Sequence, residues 1–317
     1  MMLRIIMCLS FFMVGLVQAQ PAPRAALEMP LSTKAVFLDL VQHDNEVFTV
    51  GERGIILKSS DQGANWVQVS SPVDVTLTSI AFSSENEGWI VGHESTILHT
   101  ADGGETWEVN SYKPDDERFY MSVKFFSEKL GYVLGTDGEL WVTEDAGKSW
   151  HLTILSVEEW YQNHLFAIEK MGESAIVIGE RGGVFTSTNG LTQWLPLISP
   201  YEGSFFGVNK IEDQFVAFGM SGNLYLIDSA SLEWKKIETN TDQFLLQSVV
   251  TKDGEYVFIV GRGGIILVLN KEGKLIKTRQ SESRVDFTAV TILDDAVYLA
   301  SMAGGITTIP LGDLINN

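Results

Sequence analysis

The sequence has 317 residues, of which 45% are hydrophobic and 20% are charged, so the chain can bury a sizeable core. It carries 22 lysines and arginines against 41 aspartates and glutamates, a formal net charge of −19, which argues against nucleic acid or an anionic membrane surface as its main partner. Glycine is frequent (29) and proline is not (8), a balance that favours many short strands joined by tight turns over a disordered polymer.

The N-terminal twenty residues have the pattern of a secretory signal. Arg4 supplies the positive end, an apolar run follows over 5–17, and Val17-Gln18-Ala19 occupies the usual cleavage positions. The run is short for a membrane-spanning helix of about 20 residues, although a retained N-terminal anchor is the alternative. We therefore expect cleavage near Ala19 and export to the periplasm.

The single cysteine, Cys8, lies inside this N-terminal segment. The mature chain would then have no disulfide, no thiol nucleophile and no cysteine metal site. Cys8 also lacks the small residues that should precede a lipidated cysteine, so we do not expect a lipoprotein anchor. No second long apolar run follows, and we expect a product that does not span the membrane after cleavage.

The rest of the chain is a repeat of about forty residues. The segments 47–57 and 257–267 are nearly identical, with VFTVGERGIIL matching VFIVGRGGIIL. Seven copies are anchored at Gly51, Gly92, Gly135, Gly179, Gly219, Gly261 and Ser301. A tryptophan stands fifteen residues after the glycine in the first five copies, at Trp66, Trp107, Trp150, Trp194 and Trp234. Two markers that keep one phase over five copies indicate a true repeat.

Each copy contains four short strand-like runs. In the second copy these are Leu77–Phe82, Gly88–Val91, Thr96–Thr100 and Thr106–Asn110, and turn residues bound them. Four strands per forty-residue unit predict an all-β fold, a seven-bladed β-propeller of four-stranded blades forming a single domain over 20–317. An open solenoid of the same period is the alternative, and four strands per unit argue against it.

The seventh copy is one strand short. It supplies strands near Phe287–Ile292, Ala296–Ala300 and Gly305–Ile309, and then the sequence nearly ends. The segment Ala25–Thr33 precedes the first strand of blade one, Ala35–Val41, and has no blade of its own. We therefore expect this N-terminal segment to pair as a strand on the outside of blade seven and close the ring, which would leave no unpaired edge.

The first three copies share a turn between their third and fourth strands, the Asp-box. Its members are Ser59, Asp61, Gly63 and Trp66, then Thr100, Asp102, Gly104 and Trp107, then Thr143, Asp145, Gly147 and Trp150. In this pattern the aspartate bonds to backbone N–H groups ahead of it, the glycine permits positive φ, and the tryptophan fills space between sheets. We interpret these residues as structural rather than catalytic.

These motifs, together with the signal segment, resemble the photosystem II stability and assembly factor family of Asp-box propellers, over essentially the whole mature chain. The resemblance implies a lumenal or periplasmic seven-bladed propeller that assists assembly of a membrane complex. In photosynthetic members, arginines on one face help to contact the nascent reaction-centre protein. Here Arg53 and Arg181 occupy matching positions and Arg262 stands one position earlier, while the rest of the chain is arginine-poor and acidic. We expect a relative that serves another envelope complex.

The strand order of such a propeller places the turns between second and third strands on the face that carries the crossovers between blades. Charged residues from these turns would surround the central channel, with the longest crossovers beside them, around 113–118, 157–161 and 199–202. Exposed aromatics beside arginines are typical of protein-binding patches. The predicted partner-binding residues are Arg53, Arg181, Arg262, Trp160, Tyr161 and Tyr201. The alternative is that Arg53 and Arg181 only pair with neighbouring glutamates and that Trp160 packs under a loop.

Enzymatic interpretations find less support. A sialidase-like glycosidase would need three clustered arginines and an arginine–isoleucine–proline signature, and Asp-box xyloglucanases use two propellers. The adjacent carboxylates Asp115-Asp116 and Glu158-Glu159 are typical of solvated loops, and the five histidines lack metal-ligand spacing. We expect a non-enzymatic monomer with no metal and no cofactor, which binds a protein partner. The alternative is a glycan-binding module or a glycoside hydrolase of the sialidase-like Asp-box class.

Overall fold

The computed structural model describes residues 22–156, 163–187, 189, 191 and 193–315. Blade one contains β1 (Phe37–His43), β2 (Glu46–Gly51), β3 (Ile56–Ser59) and β4 (Val67–Val69). Blade two contains β5 (Leu77–Phe82), β6 (Gly88–Gly92), β7 (Ile97–Thr100) and β8 (Glu108–Ser111). Blade three contains β9 (Tyr120–Phe125), β10 (Gly131–Gly135), β11 (Glu139–Thr143) and β12 (His151–Ile154). Blades four and five contain β13 (Leu165–Met171), β14 (Ser174–Gly179), β15 (Val184–Ser187) and β16 (Leu195–Pro196); and β17 (Phe205–Ile211), β18 (Gln214–Gly219), β19 (Leu224–Asp228) and β20 (Trp234–Ile237).

Blade six contains β21 (Leu245–Val250), β22 (Tyr256–Gly261), β23 (Ile265–Asn270) and β24 (Leu275–Gln280). Blade seven contains β25 (Phe287–Leu293), β26 (Ala296–Ser301) and β27 (Ile306–Pro310), followed by the short helix α1 (Leu311–Ile315). Single 3₁₀ turns lie at Ser32–Lys34, Glu52–Gly54, Thr136–Gly138, Met220–Gly222 and Arg262–Gly264. Every sheet is antiparallel with its strands in chain order.

The blades form a closed ring, which confirms the predicted seven-bladed β-propeller. The first strand of each blade contacts the first strand of the next, and β25 contacts β1 in the same way. The hydroxyl of Thr78 donates to the Tyr120 carbonyl across blades two and three (2.6 Å), and that of Thr288 donates to the Phe37 carbonyl across blades seven and one (2.6 Å). The junction between the last and first blades therefore repeats an ordinary junction.

The core consists of seven apolar clusters, one between each pair of neighbouring blades. At one junction, Phe218 and Leu226 of blade five pack against Ile259 and Leu267 of blade six. The second strand of a blade is covered on both faces, which is why β6 and β10 are buried along their whole length. Burial of a leucine or phenylalanine side chain between two blades contributes roughly 1.5–3 kcal/mol to the free energy of unfolding. Stacking in the ring is therefore what makes a forty-residue blade stable.

The expected closure by an N-terminal strand on blade seven is wrong. The described part of blade seven has three strands, and residues 24–29 run along the outer edge of blade one instead. Ala26 N–H donates to the Ser71 carbonyl (3.0 Å), Met29 N–H donates to Gln68 Oε1 (3.0 Å), and Gln68 Nε2 donates to the Leu27 carbonyl (2.9 Å). The Gln68 amide thus offers both a donor and an acceptor to residues 27 and 29. The 3₁₀ turn at Ser32–Lys34 then redirects the chain.

The helix α1 fills the space that a tryptophan fills in other blades. Trp107 of blade two is buried in the cluster between blades one and two. Leu314 of α1 is likewise buried, in the cluster between blades six and seven. Blade seven therefore has a substitute for its missing Asp-box tryptophan, although its described residues provide no fourth strand.

Candidate partner-binding face

One face of the ring carries both the turns between second and third strands and the crossovers between blades, as predicted. In every blade the residue after the anchor position donates its N–H to the carbonyl of the residue that precedes the first strand. These bonds are Glu52 to Val36, His93 to Thr76, Thr136 to Phe119, Glu180 to His164, Met220 to Ser204, Arg262 to Phe244 and Met302 to Asp286, at 2.8–3.2 Å. We call this side the turn face, and the opposite side, which carries the Asp-boxes, the Asp-box face.

The turns display their second residue outward because two successive residues adopt left-handed backbone. In blade one, Arg53 has φ 57° and Gly54 has φ 70°. A Cβ on Gly54 would lie 1.9 Å from the Val73 carbonyl of the following crossover, so the turn can press against that crossover only with glycine there. Side chains at the Arg53 position in the other turns include Glu94, Asp137, Arg181 and Ser221, all with positive φ.

Arg53 and Arg181 are both exposed on the turn face. Within the described residues, no hydrogen bond or ion pair involves the Arg53 side chain, and the neighbouring Glu52 accepts the Val36 N–H instead (3.1 Å). The alternative that Arg53 merely pairs with its neighbouring glutamate therefore finds no support. In blade four, the Arg181 N–H donates to Ser204 Oγ (3.2 Å), which fixes the turn against the next crossover.

Arg262 combines charge with an aromatic surface. Its Cζ lies 4.6 Å from the centroid of the Phe244 ring, and its Nε lies 3.9 Å from Asp286 Oδ2, with 55% of the side chain exposed. A guanidinium stacked on an aromatic ring is held in place without losing its outward hydrogen-bond donors. Arg262 therefore combines a positive charge with an aromatic support on the turn face.

Sequence reasoning missed a row of phenylalanines beside Arg262. Phe244 lies 5.9 Å from Phe206, and Phe206 lies 5.5 Å from Phe166, as ring centroids. We call Phe166, Phe206 and Phe244 the aromatic row; each is half-buried. Phe166 and Phe206 are the second residues of their blades' innermost strands, a position that points into the channel. The sequence signal for the aromatic row was this strand position. The corresponding residues of other blades are also apolar and include Leu38, Met121 and Leu246.

These residues help to line the central channel. A cavity of about 420 Å³ is bounded by first-strand residues of all seven blades, among them Met121, Phe166, Phe206 and Leu246. Apolar side chains from several blades line this cavity, and those of blades four to six, Phe166, Phe206 and Leu246, lie on the side of the turns that carry Arg181 and Arg262. The turn face therefore presents an apolar recess with cationic groups at its border.

The remaining predicted binding residues fall into two groups. Tyr201 is half-buried: its hydroxyl donates to the Met220 carbonyl (3.3 Å), and its ring packs with Phe205 and Tyr225 at centroid distances of 5.6 and 6.5 Å. It is mainly a packing residue between blades four and five. Trp160 and Tyr161 lie outside the described residues.

A different sector of the turn face is acidic. Glu94, Asp115, Asp116, Glu117 and Phe119 line a cavity of about 400 Å³ with His93. Arg118, a cation of this sector, is already engaged by Asp116 (2.8 Å) and by Glu139. Hydrogen bonding to Arg118 lowers the pKa of Asp116 to about 2, and burial lowers the pKa of His93. Blades two and three thus present negative charge, in contrast to the aromatic row and arginines of blades four to six.

On the Asp-box face, the three aspartates are occupied by their own turns. The Oδ1 atoms of Asp61, Asp102 and Asp145 accept the N–H of the fourth residue ahead (2.8, 2.9 and 2.9 Å), and each Oδ2 accepts that residue's side chain. The preceding hydroxyls of Ser59, Thr100 and Thr143 connect the aspartates to the N–H groups of Gly63, Gly104 and Gly147.

The Asp-box glycines and tryptophans pack against the preceding blade. A Cβ on Gly147 (φ 72°) would lie 2.2 Å from the Trp89 ring of blade two, and Gly104 and Gly63 face Phe48 and Tyr298 in the same way. Trp107 is buried, and Trp66 and Trp150 are half-buried against neighbouring clusters. Both the hydrogen bonds and the packing support a structural interpretation of the motif.

These turns predict a specific acid sensitivity. Hydrogen bonds from Thr106 and Ser149 lower the pKa values of Asp102 and Asp145 from 3.8 to about 2. Because the folded-state pKa values are lowered, this stabilisation is fully present above pH 3.8 and is lost as the pH falls towards 2. We expect the urea midpoint to fall between pH 4 and pH 2, and to fall less steeply in the Asp102→Asn/Asp145→Asn variant. An Asp44→Asn/Asp295→Asn control should keep the wild-type slope; equal slopes in all three proteins would contradict this account.

Within the described residues, no helix has the length and apolar character needed to cross a membrane, and no group of three or more His, Cys, Asp or Glu side chains is arranged to hold a metal ion.

Comparisons with known proteins bear on the fold and the family. The sequence model of the family described as "Photosynthesis system II assembly factor YCF48" matches residues 64–308. No curated protein has a significant sequence match. A solved structure described as YCF48 bound to D1 peptide is 19% identical with a TM-score of 0.69, over 92% of this chain and 99% of that one.

Two further solved structures share the architecture. YCF48 from Cyanidioschyzon merolae is 16% identical with a TM-score of 0.66, over 91% of this chain and 98% of that one. The WD40 β-propeller domain of Doa1 is 13% identical with a TM-score of 0.69, over 90% and 95%. At such identities these structures show a common fold.

Proposed function

The chain belongs to the family of the photosynthesis system II assembly factor YCF48, and we propose that it is an exported, non-enzymatic propeller that binds a protein partner and assists assembly or stability of a membrane complex. Its binding site is the turn face, on the side of blades four to six. Export rests on the signal-like pattern of residues 1–19, and the site lies on the rigid ring that follows.

The observation that carries this proposal is the pairing of arginines with an apolar recess. Arg262 stacks on Phe244, and the aromatic row continues through Phe206 to Phe166. Arg181 lies on the turn of blade four, the blade that carries Phe166. Arginine and aromatic residues dominate binding energy at protein interfaces, especially where they border a recess that can be desolvated. An extended segment with one or two apolar side chains and a nearby carboxylate would complement this surface.

A protein partner fits the family. One solved structure with this fold is that of YCF48 bound to a D1 peptide, so at least one related propeller holds a peptide. The present chain has a formal net charge of −19, and blades two and three add an acidic sector to the same face. A partner that covers the whole face would therefore carry negative or apolar groups opposite blades four to six and positive groups opposite blades two and three.

A non-enzymatic role is supported by the use of the Asp-box carboxylates. In Asp61, Asp102 and Asp145, both carboxylate oxygens accept hydrogen bonds from the residue's own turn, on the face opposite the recess. Their chemistry is that of a hairpin staple, present once in each of the first three blades.

Affinity capture tests the proposal. The tagged protein is used to capture partners from detergent-solubilised envelopes, beside an Arg53→Ala/Arg181→Ala/Arg262→Ala variant. We expect a membrane protein to be recovered with the wild type and at least tenfold less of it with the variant, since each lost arginine contact costs about 1 kcal/mol or more.

The matched control is Lys235→Ala/Lys236→Ala/Arg279→Ala, which removes three positive charges from the exposed outer strands of blades five and six. It should retain the wild-type recovery. Recovery that is equal in the two triple variants would contradict a site on the turn face.

A further inference from the structure

The outer edge of blade seven differs from that of every other blade. In blades one to six the third strand is paired by a fourth, whereas β27 is the outermost strand of the described part of blade seven. The third strands β3, β7, β15 and β19 are buried almost throughout. By contrast, Thr307, Thr308 and Pro310 of β27 are exposed. The exposure pattern of β27 is that of an edge strand.

The described ends of the chain lie elsewhere. Residues 24–29 run along β4 of blade one, and Arg24 pairs with Asp74 at the far end of that edge. At the other end, Leu311 N–H donates to the Asp295 carbonyl and Leu314 is buried between blades six and seven. The N-terminal segment meets blade seven at one end of β27, where Gly305 N–H donates to the Ala35 carbonyl (3.1 Å), and Met29 packs against the apolar cluster shared by blades seven and one.

The edge lacks the features that protect natural edge strands. The strand β27 reads Ile-Thr-Thr-Ile-Pro, with no charged side chain, and its proline is the last residue. A cavity of about 250 Å³ lies beside it, bounded by Thr33, Lys34, Trp66 and residues 304–307. Space and unpaired backbone therefore occur together along one edge of the ring.

We propose that this edge binds an extended segment of a partner protein, which adds to blade seven as its fourth strand. A strand in that place runs antiparallel to β27, so it begins at the Asp-box face and ends near Lys34 on the turn face. The packing role of a fourth-strand tryptophan is already filled by Leu314. The guest therefore needs to supply mainly backbone hydrogen bonds and β-branched side chains.

Charge defines the chemistry of the guest. At the Asp-box face, the end of this edge is bordered by the exposed aspartates Asp61, Asp294, Asp295 and Asp313. Gln62, which follows Asp61, donates its side-chain N–H to Asp294 Oδ2 (3.2 Å). Asp295 lies in the loop between β25 and β26, and Asp313 lies in α1. A guest strand with lysines or arginines at its leading end is complementary to these groups. A second copy of this chain is disfavoured because both copies would carry a net charge of −19.

A synthetic peptide tests the site directly. The probe is the fluorescently labelled peptide Lys-Lys-Thr-Val-Thr-Val-Thr, and the control is the same peptide with every residue of its Thr-Val-Thr-Val-Thr segment N-methylated, which cannot donate a backbone hydrogen bond along either edge. We expect saturable binding to the purified protein, at least tenfold weaker with the N-methylated peptide and with a Glu-Glu leading end. Amide exchange at those N–H groups of residues 307–309 that point away from β26 should slow when the first peptide is added.

Two protein variants locate the binding to the edge. Along a strand, alternate N–H groups point to opposite sides, so one of Thr307→Pro and Thr308→Pro removes an outward N–H and leaves the pairing with β26 intact. That variant should keep the wild-type urea midpoint and lose at least tenfold in peptide affinity. The Arg53/Arg181/Arg262 alanine variant should bind the peptide normally, so the outcome is independent of the turn-face proposal.

Four results would overturn the proposal: no saturable binding up to millimolar peptide, equal binding of the N-methylated peptide, protection without peptide of the amides among 307–309 that point away from β26, or self-association that the edge proline abolishes. The third would mean that the chain covers the edge itself, and the fourth that a second copy does.

Discussion

Replacing Asp39 with alanine is expected to lower the free energy of unfolding by about 3 kcal/mol, because it strands several buried hydrogen-bond donors at once. Asp39 is buried in the channel wall on β1. Its Oδ2 accepts the Ser79 hydroxyl (2.8 Å) and the Ile80 N–H (3.0 Å) from blade two, and its Oδ1 accepts Gln247 Nε2 (2.6 Å) from blade six. The same Gln247 accepts the N–H of Val290 in blade seven. One carboxyl group thus connects the blades on both sides of the ring closure.

Urea unfolding measures this effect, with Asp295→Ala as a control that removes an exposed aspartate and should change stability by no more than about 0.5 kcal/mol. Burial raises the pKa of Asp39 above 3.8. A raised folded-state pKa means that its contribution is largest below pH 3.8 and declines as the pH rises through the folded-state pKa. The cost of Asp39→Asn should therefore shrink as the pH rises, and a pH-independent cost would contradict the assignment.

Replacing Leu314 with alanine is expected to cost about 2–5 kcal/mol, the usual range for a fully buried leucine whose site cannot collapse. Leu314 is 0% exposed and contributes to the cluster with Phe258, Val268 and Val297 between blades six and seven. Blade seven lacks an Asp-box tryptophan, and Leu314 is the residue of α1 that is buried in this space.

The control for this substitution is Asp313→Ala, an exposed position on the same short helix, which should change stability by no more than about 0.5 kcal/mol. If Leu314→Ala has an effect as small as that of Asp313→Ala, then α1 does not fill the junction between blades six and seven.

The architecture could be predicted from the sequence because the repeat is local and periodic. The phase between Gly51 and Trp66 recurs in later copies, and each copy carries its own strands and turns. Closure at blade seven could not be predicted in the same way, since it depends on contacts between distant parts of the chain. Nothing in the sequence near Gln68 signals that its amide binds residues 27 and 29.

The binding face was predictable only in part. The positions of Arg53, Arg181 and Arg262 follow from the repeat, and the left-handed backbone of the second turn residue explains the outward display of Arg53 and Arg181. Tyr201 was expected to be exposed, yet it lies beside Phe205, whose ring provides an apolar surface for it. The aromatic row was missed because Phe166, Phe206 and Phe244 belong to three separate repeats and meet only when the blades form a ring.

The most direct test of a partner on the turn face is site-specific photo-crosslinking in intact cells. A photoreactive residue is placed at Glu202, an exposed crossover position on the turn face, or at Lys148, an exposed position in an Asp-box turn on the opposite face. We expect an adduct with a membrane protein from position 202 and at least tenfold less of it from position 148. An adduct that forms equally or preferentially from position 148 would contradict the assignment of the turn face as the partner-binding surface.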